Sequence, residues 1–388
     1  MKARLFIWGT RLIWIVILML MSGCWSKVEI NKRTFVTGIF IDKSDIPGQV
    51  EVTISTPLPN RLISGEARGP GGNKGNPFAV ISKSGRTITD AVNAIQLDLT
   101  RDLSWGHTRV VVIGKEYAQD GIDSLLAWTN REPLFHLSSY LLVAPGKAKD
   151  VTKLTPVYEK SPTEVLTDFS TAGKLMDTDV RTFSMSVLAK QDDAVTELVM
   201  GEIPLISEKG KTAEWAGIKG AAIFSNKKMV GSLNIEQARA IAWARGRLRR
   251  MDMTIENDEK VSATILNLKS SITPVMSAGE PVFIINLGGS AELNSISPLS
   301  KGYSKQKSRE VKQAMDGKIK ADLSKAIDFA MDNSADILHF GYHLEWRYPT
   351  VWERLRPEWR KYVHTKLRYE IHPDIKLEYF GSQSGGPT

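Results

Sequence analysis

The sequence predicts a mixed α/β protein of the α+β kind, with more than one domain and antiparallel or mixed sheets carrying packed helices. Three observations carry that prediction. Strand-like runs rich in β-branched residues alternate with stretches at helical spacing up to about residue 150, the pattern of helices laid on a sheet. Strand-like runs joined by a short turn, Thr34–Asp42 and Gln49–Thr56, point to antiparallel pairing. Of the 388 residues, some 365 follow Gly23, enough for two or three domains at the usual ~100–200 residues each.

The first strand is Thr34-Phe-Val-Thr-Gly-Ile-Phe-Ile-Asp42, β-branched and aromatic, with Gly38 placed for a bulge. A turn at Asp45-Ile-Pro-Gly48 leads to Gln49–Thr56, which alternates apolar and polar residues as a half-buried strand does. Gly65–Pro77, with five Gly and two Pro in thirteen residues, reads as a mobile loop. Ile88, Val92, Ile95 and Leu99 then recur at helical spacing, with Thr87 or Thr89 placed to cap the helix. Arg109-Val-Val-Val-Ile-Gly114 is a buried-strand run, Glu116–Trp128 is helical with a break near Gly121, and Ser138–Ala144 is a further strand. Val151–Leu188 reads as helix with loops. Ala216–Phe224 is strand-like and turns at Asn226-Lys-Lys into Met229-Val-Gly. Asn234-Ile-Glu-Gln237 has the two polar ends of a capping box and opens a helix to about Trp243. Strands follow at Lys260–Lys269 and Pro281–Leu293. Between Ser304 and Met331, Val311, Met315, Ile319, Leu323, Ile327 and Ala330 make one apolar stripe along a long helix. The tail alternates at Val363–Ile371 and again at Ile375–Tyr379, which predicts two strands joined by a turn at His372-Pro-Asp374.

The first 24 residues have the layout of an export signal: a basic head (Lys2, Arg4, Arg11), an apolar run from Leu12 to Met21, and small residues before Cys24. Ten apolar residues at ~1.5 Å each span roughly 15 Å, about half a hydrocarbon core, so the run engages an export channel but is a poor permanent span. A cut before Cys24 leaves its thiol at the new N-terminus, where bacterial export machinery attaches diacylglycerol. Met21 stands three before the cysteine, where leucine is usual. Two other readings stay open: a cysteine after an ordinary signal, or part of an N-terminal anchor helix. Cys24 is the single cysteine, which excludes an intramolecular disulfide. Net charge is +8, of which about +5 survives the loss of Lys2, Arg4 and Arg11. That bias suits an anionic membrane surface and does not argue for a nucleic-acid partner.

A search for catalytic chemistry finds little. Gly210-Lys211-Thr212 looks like the end of a phosphate loop, but Leu205 occupies the place of the required glycine. His339 and His343 stand four apart with Glu345 nearby, yet Gly341 between them and the lack of an HExxH pattern argue against a metal site. No cofactor motif and no nucleophile–base constellation is present, so the chain is not read as an enzyme. Arg245-Gly-Arg-Leu-Arg-Arg250 reads either as a surface for lipid phosphates or an acidic partner, or as a solvated helix end complementing the helix dipole. Trp346, Trp352 and Trp359 read either as buried anchors or as an aromatic docking patch.

Several blocks occur in a distinctive order. Cys24-Trp25 is followed by Glu29-Ile30-Asn31, Val36-Thr37-Gly38 and Ile41-Asp42. Then come His107-Thr-Arg-Val-Val-Val-Ile-Gly114, Ala118, Gly121-Ile122 and Arg131-Glu132. Gly220-Ala-Ala-Ile-Phe224, Lys227-Lys-Met-Val-Gly231 and Leu233 follow, and Asp336-Ile-Leu-His-Phe-Gly341, Pro349, Trp352, Trp359 and Gly381 close the series. Together they resemble the C subunit of nutrient germinant receptors, a lipoprotein family of endospore-forming bacteria. One departure is Ser26, where that family commonly has Asp.

The resemblance implies a non-enzymatic, lipid-anchored subunit that works in spore germination beside two integral-membrane subunits, on the outer face of the spore inner membrane. It implies three mixed α/β domains, taken here as 24–197, 198–270 and 271–388 after a signal at 1–23. A small nutrient would reach it only through the complex, and Cys24, as the lipidation site, is the one functional residue carried over. Two rivals are a solute-binding lipoprotein of a transporter, which needs two similar lobes, and an anchored wall hydrolase, which needs a catalytic constellation.

Overall fold

The computed structural model describes residue 14 and residues 29–62, 76–205, 210–256, 260–297 and 305–379. The signal layout with Cys24, most of the glycine-rich stretch, and Gly381 lie outside the described residues.

Ten strands precede the long C-terminal elements: β1 (Arg33–Phe35), β2 (Gly38–Lys43), β3 (Val50–Pro57), β4 (Phe78–Gly85), β5 (Asp102–Ser104), β6 (Val110–Ile113), β7 (Tyr140–Val143), β8 (Asp193–Leu205), β9 (Lys211–Ser225) and β10 (Lys228–Asn234). Eight of them form one sheet in the order β10-β9-β8-β7-β6-β2-β3-β4, while β1 and β5 make a separate parallel pair. Within the sheet, β2, β6, β7 and β8 run parallel at the centre and antiparallel strands flank them. That arrangement explains the unbroken Val-Val-Val-Ile of β6: a central parallel strand is covered on both faces.

Short helices cover the sheet: α1 (Pro59–Leu62), α2 (Ile88–Leu97), α3 (Lys115–Asp120), α4 (Asp123–Thr129), α5 (Pro162–Thr171) and α6 (Val180–Leu188). On one face Ile88, Ile95, Leu125 and Phe183 pack on Ile39, Val111 and Leu141, and on the other Leu166 packs on Phe40 and Val112. The Thr87 hydroxyl accepts from the Asp90 amide and caps α2, so of the two candidate threonines it is Thr87 that caps. Gly121, at φ 123°, separates α3 from α4. Gly38 opens β2 and makes no bulge; a Cβ there would come within 2.4 Å of the Thr163 methyl carbon on α5.

A second sheet takes the order β11-β12-β13-β14, with β11 (Met251–Glu256), β12 (Lys260–Ser277), β13 (Glu280–Ser297) and β14 (Arg368–Tyr379). β12 and β13 form one long hairpin whose two-residue turn, Ala278-Gly279, has positive φ at both positions, the requirement of a twist-matched hairpin. Helix α7 (Ile235–Ala244) opens on the predicted Asn234–Gln237 capping box. Helix α8 (Lys305–Asp332) buries its stripe, from Val311 to Ala330, on this sheet. Three short helices follow, α9 (Phe340–Arg347), α10 (Pro349–Leu355) and α11 (Trp359–Lys366). The largest core joins the two sheets, because α7 contributes Ile241 and Trp243 to a cluster holding both Ile223 of β9 and Phe283 of β13.

The tail corrects the sequence reading. Val363 belongs to α11, where Trp359, Tyr362 and Val363 are buried at helical spacing. From Arg368 the chain is one strand without a turn at His372-Pro-Asp374, pairing parallel with β13 through Pro373. Proline is tolerated because β14 is the edge strand and owes no hydrogen bond on its outer side.

Candidate functional site at a polar junction

Two adjacent carboxylates, Asp192 and Asp193, stand buried where the chain enters β8. Three later segments converge on them: Arg245 at the end of α7, the loop Asp336–His339 ahead of α9, and Arg360 in the first turn of α11. Asp192 Oδ1 accepts from Arg360 Nη2 at 2.7 Å and from the Asn226 amide at 3.0 Å, and Oδ2 accepts from the Asp336 amide at 3.1 Å. The second Arg360 nitrogen reaches Ser225 Oγ at 3.0 Å. Asp193 pairs with Arg245, whose side chain is only 8% exposed, and its Oδ2 accepts from Ser186 Oγ at 2.8 Å. His339, held in the left-handed region at φ 57°, brings Nε2 to within 3.0 Å of the Asp192 carbonyl oxygen.

Asp336 is the second centre of the junction. Its carboxylate accepts from the amides of Phe340 and Gly341, both at 2.8 Å, and so caps α9 from outside the helix. The same group accepts from Trp359 Nε1 at 3.0 Å. Trp359 packs edge-on against Trp352 with centroids 5.1 Å apart, and stacks on Tyr362. Gly341 sits against both indoles: a Cβ there would come 2.8 Å from Trp352 and 3.1 Å from Trp359 Nε1. The motif Asp336-Ile-Leu-His-Phe-Gly341 with its distant tryptophans is thus one packed knot.

Electrostatics at the junction follow from burial set against specific partners. Burial pushes the Asp336 carboxyl up to about 6 despite its three donors. Burial also pushes His339 down to about 4, so its ring is neutral near pH 7. Burial raises Asp192 too, against the pull of Arg360. At Asp193 burial works in the same sense, but Arg245 with Ser186 outweighs it and holds the carboxyl below the usual range. The Arg245 and Arg360 cations therefore face the Asp193 and Asp192 carboxyls, and Asp336 titrates close by. Chemically the arrangement is a clamp: it orders the first sheet, α7 and the C-terminal helices relative to one another, with a geometry that few alternative packings would satisfy.

The predicted site residues fall differently. Arg245 is neither a membrane-facing cation nor a solvated helix end, because the end of α7 is aimed at Asp193. The remaining arginines disperse: Arg247 faces Asp177 at 3.6 Å, the Arg249 stem covers Gly173, and Arg250 pairs with Asp252 at 2.8 Å. His343 donates its amide to the His339 carbonyl, but the His339 ring points to Asp192. Among the described residues no group of three or more His, Cys, Asp or Glu is placed to hold a metal. Trp352 and Trp359 are buried anchors, whereas Trp346 is 79% exposed beside Tyr342. Asp42 accepts the amides of Ala148 and Lys149 at 2.6 and 2.9 Å, and a Cβ on Gly114 would fall 2.1 Å from its Oδ1. Asp192, Asp193 and Arg360 escaped the sequence reading; the available signal was a pair of carboxylates opening an apolar strand.

Residues 26–199 match the family described as "Spore germination protein N-terminal domain", and residues 219–381 match "Spore germination B3/ GerAC like, C-terminal". The chain is 25% identical over 378 residues to spore germination protein B3 of Bacillus subtilis (strain 168), spanning 94% of this chain and 96% of that protein. It is 21% identical over 398 residues to spore germination protein KC of the same organism, spanning 96% and 95%. Its fold is similar to the crystal structure of the GerBC protein, with a TM-score of 0.57 and 20% identity over 89% of this chain and 98% of that one. The junction draws on both matched regions, with Asp192 and Asp193 in the first and Arg245, Asp336 and Arg360 in the second.

Proposed function

Since the chain belongs to the family of GerC-type spore germination proteins, we propose that it serves as the lipid-anchored, non-enzymatic subunit of a nutrient germinant receptor. The observation that carries this reading is positional: the family match begins at residue 26, two residues after the cysteine that ends the export-signal layout. On this reading residues 1–23 are removed, Cys24 carries diacylglycerol, and three domains (24–197, 198–270 and 271–388) stand on the outer face of the spore inner membrane. Two integral-membrane subunits are the partners, and a small nutrient acts on this subunit through them. A transporter solute binder is not favoured, since both halves of the chain match spore germination proteins.

The anchor has a physical rationale. At ~0.8 kcal/mol per buried CH₂, two long acyl chains hold a protein stably at a bilayer. Confinement to the membrane then raises the effective concentration for its partners without a tight soluble interface. Fractionation of cells carrying Cys24→Ala is expected to move the protein out of the membrane fraction, and affinity purification of the wild type to bring down two polytopic proteins. A Cys24→Ala protein that stays membrane-bound with its signal cleaved would sink the anchor, and purification without polytopic partners would sink the receptor assignment.

A further inference from the structure

We propose that the end of the large sheet at which the chain enters is a membrane-contact face, with the bilayer surface as its occupant. The proposal rests on lipidation at Cys24. At that end, where β1 pairs with β5, lies an open groove of about 1160 Å³ lined mainly by apolar side chains, with Ile30, Pro57, Leu58, Ile81 and Leu99 among them. Ile30 is 76% exposed, and Leu97, closing α2 two residues before Leu99, is 88% exposed.

Covalent geometry argues for lipid as the occupant. Four residues separate Cys24 from Glu29, so the five Cα–Cα steps between them reach at most about 18 Å. Whatever holds the acyl chains therefore holds Glu29, at the rim of this groove, within that distance of Cys24. The intervening residues Trp25 and Lys27 are of the kinds that settle at membrane interfaces. Charge points the same way. Lys32, Arg101, Arg109 and Lys160 are exposed around this end of the sheet, with Glu29, Asp102 and Glu164 as nearby carboxylates and Asp98, between Leu97 and Leu99, paired with Lys83 at 2.7 Å. Exposed apolar side chains ringed by cations suit an anionic bilayer, into which such faces sink about 5–10 Å.

Cys24 is the single cysteine and its thiol is consumed by lipid, so an introduced cysteine is a unique labelling site. Full-length lipidated protein would carry an environment-sensitive fluorophore at Leu97→Cys or, as control, at Ile46→Cys. Ile46 is 53% exposed in the β2–β3 turn, at the opposite end of β2 from the groove. In anionic vesicles doped with nitroxide lipid, the label at 97 is expected to be quenched at least threefold more than the label at 46. Equal quenching at the two positions in protein that floats with the vesicles would overturn the contact face and leave the anchor standing. A label at 97 that stays aqueous in vesicles and is shielded only in native membranes would assign the face to a protein partner, overturning the proposal too. Protein that does not float at all would overturn the anchor itself, and the contact face with it.

Discussion

Asp336 and Trp359, 23 residues apart in sequence, are joined by a buried hydrogen bond of 3.0 Å from the indole nitrogen to the carboxylate. The same oxygen holds the Gly341 amide, so one atom ties the start of α9 to the start of α11. Trp359→Phe keeps an aromatic ring but removes that donor and part of the buried indole's volume. It is expected to cost about 2–3 kcal/mol in urea unfolding, from the lost hydrogen bond and the cavity together. Asp336→Ala strips all three donors of their acceptor and is expected to cost about 3 kcal/mol or more.

The Asp193–Arg245 pair predicts strong non-additivity. Either partner alone leaves an uncompensated charge in a dry site, so Arg245→Met or Asp193→Leu is expected to destabilise by about 3–5 kcal/mol. The double variant removes both charges and is expected to recover most of that loss. Thermal unfolding of the two singles and the double closes the cycle; simple additivity would contradict the pairing.

Acidification separates Asp336 from His339. With its folded pKa raised to about 6, Asp336 holds its proton more tightly in the folded state, so its contribution to stability rises as pH falls from about 6 to 4. His339, lowered to about 4, takes up its proton in the unfolded state first, so its contribution falls as pH drops below about 6.5. The two trends oppose each other. Measured between pH 6.5 and 4.5, Asp336→Asn is expected to lose more stability than wild type, and His339→Gln to lose less. Parallel curves for all three proteins would refute the assignment.

Gly114→Ala tests a close approach in the N-terminal sheet. The new methyl would meet the Asp42 carboxylate at 2.1 Å and force it off the Ala148 and Lys149 amides. A loss of about 2–3 kcal/mol in denaturant unfolding is expected, from overpacking plus unsatisfied buried groups.

What sequence reasoning reached, it reached through local rules. The Thr87 cap, the Asn234–Gln237 box, the break at Gly121 and the stripe of α8 depend on neighbours within a few positions, and each is where spacing places it. The tail failed for the same reason. Val363 and Thr365 alternate like a strand, while the burial of Trp359 and Tyr362 that makes the segment helical depends on the distant Phe283 and Asp336. Arg245 looked like a surface cation because Asp193, the group that buries it, lies 52 residues earlier. The glycines and aspartates of the matched blocks became intelligible only as contacts: Gly114 against Asp42, and Gly341 against two tryptophans.

Arg360 reaches Asp192 across 168 residues, which bears on how the molecule is made. During synthesis Asp192 emerges long before Arg360, and until α11 docks that carboxylate lacks its guanidinium. Loop closure over such a separation is slow and comes late. The Asp192 end of the first sheet therefore gains its ion pair only when α11 docks, and the junction registers that docking.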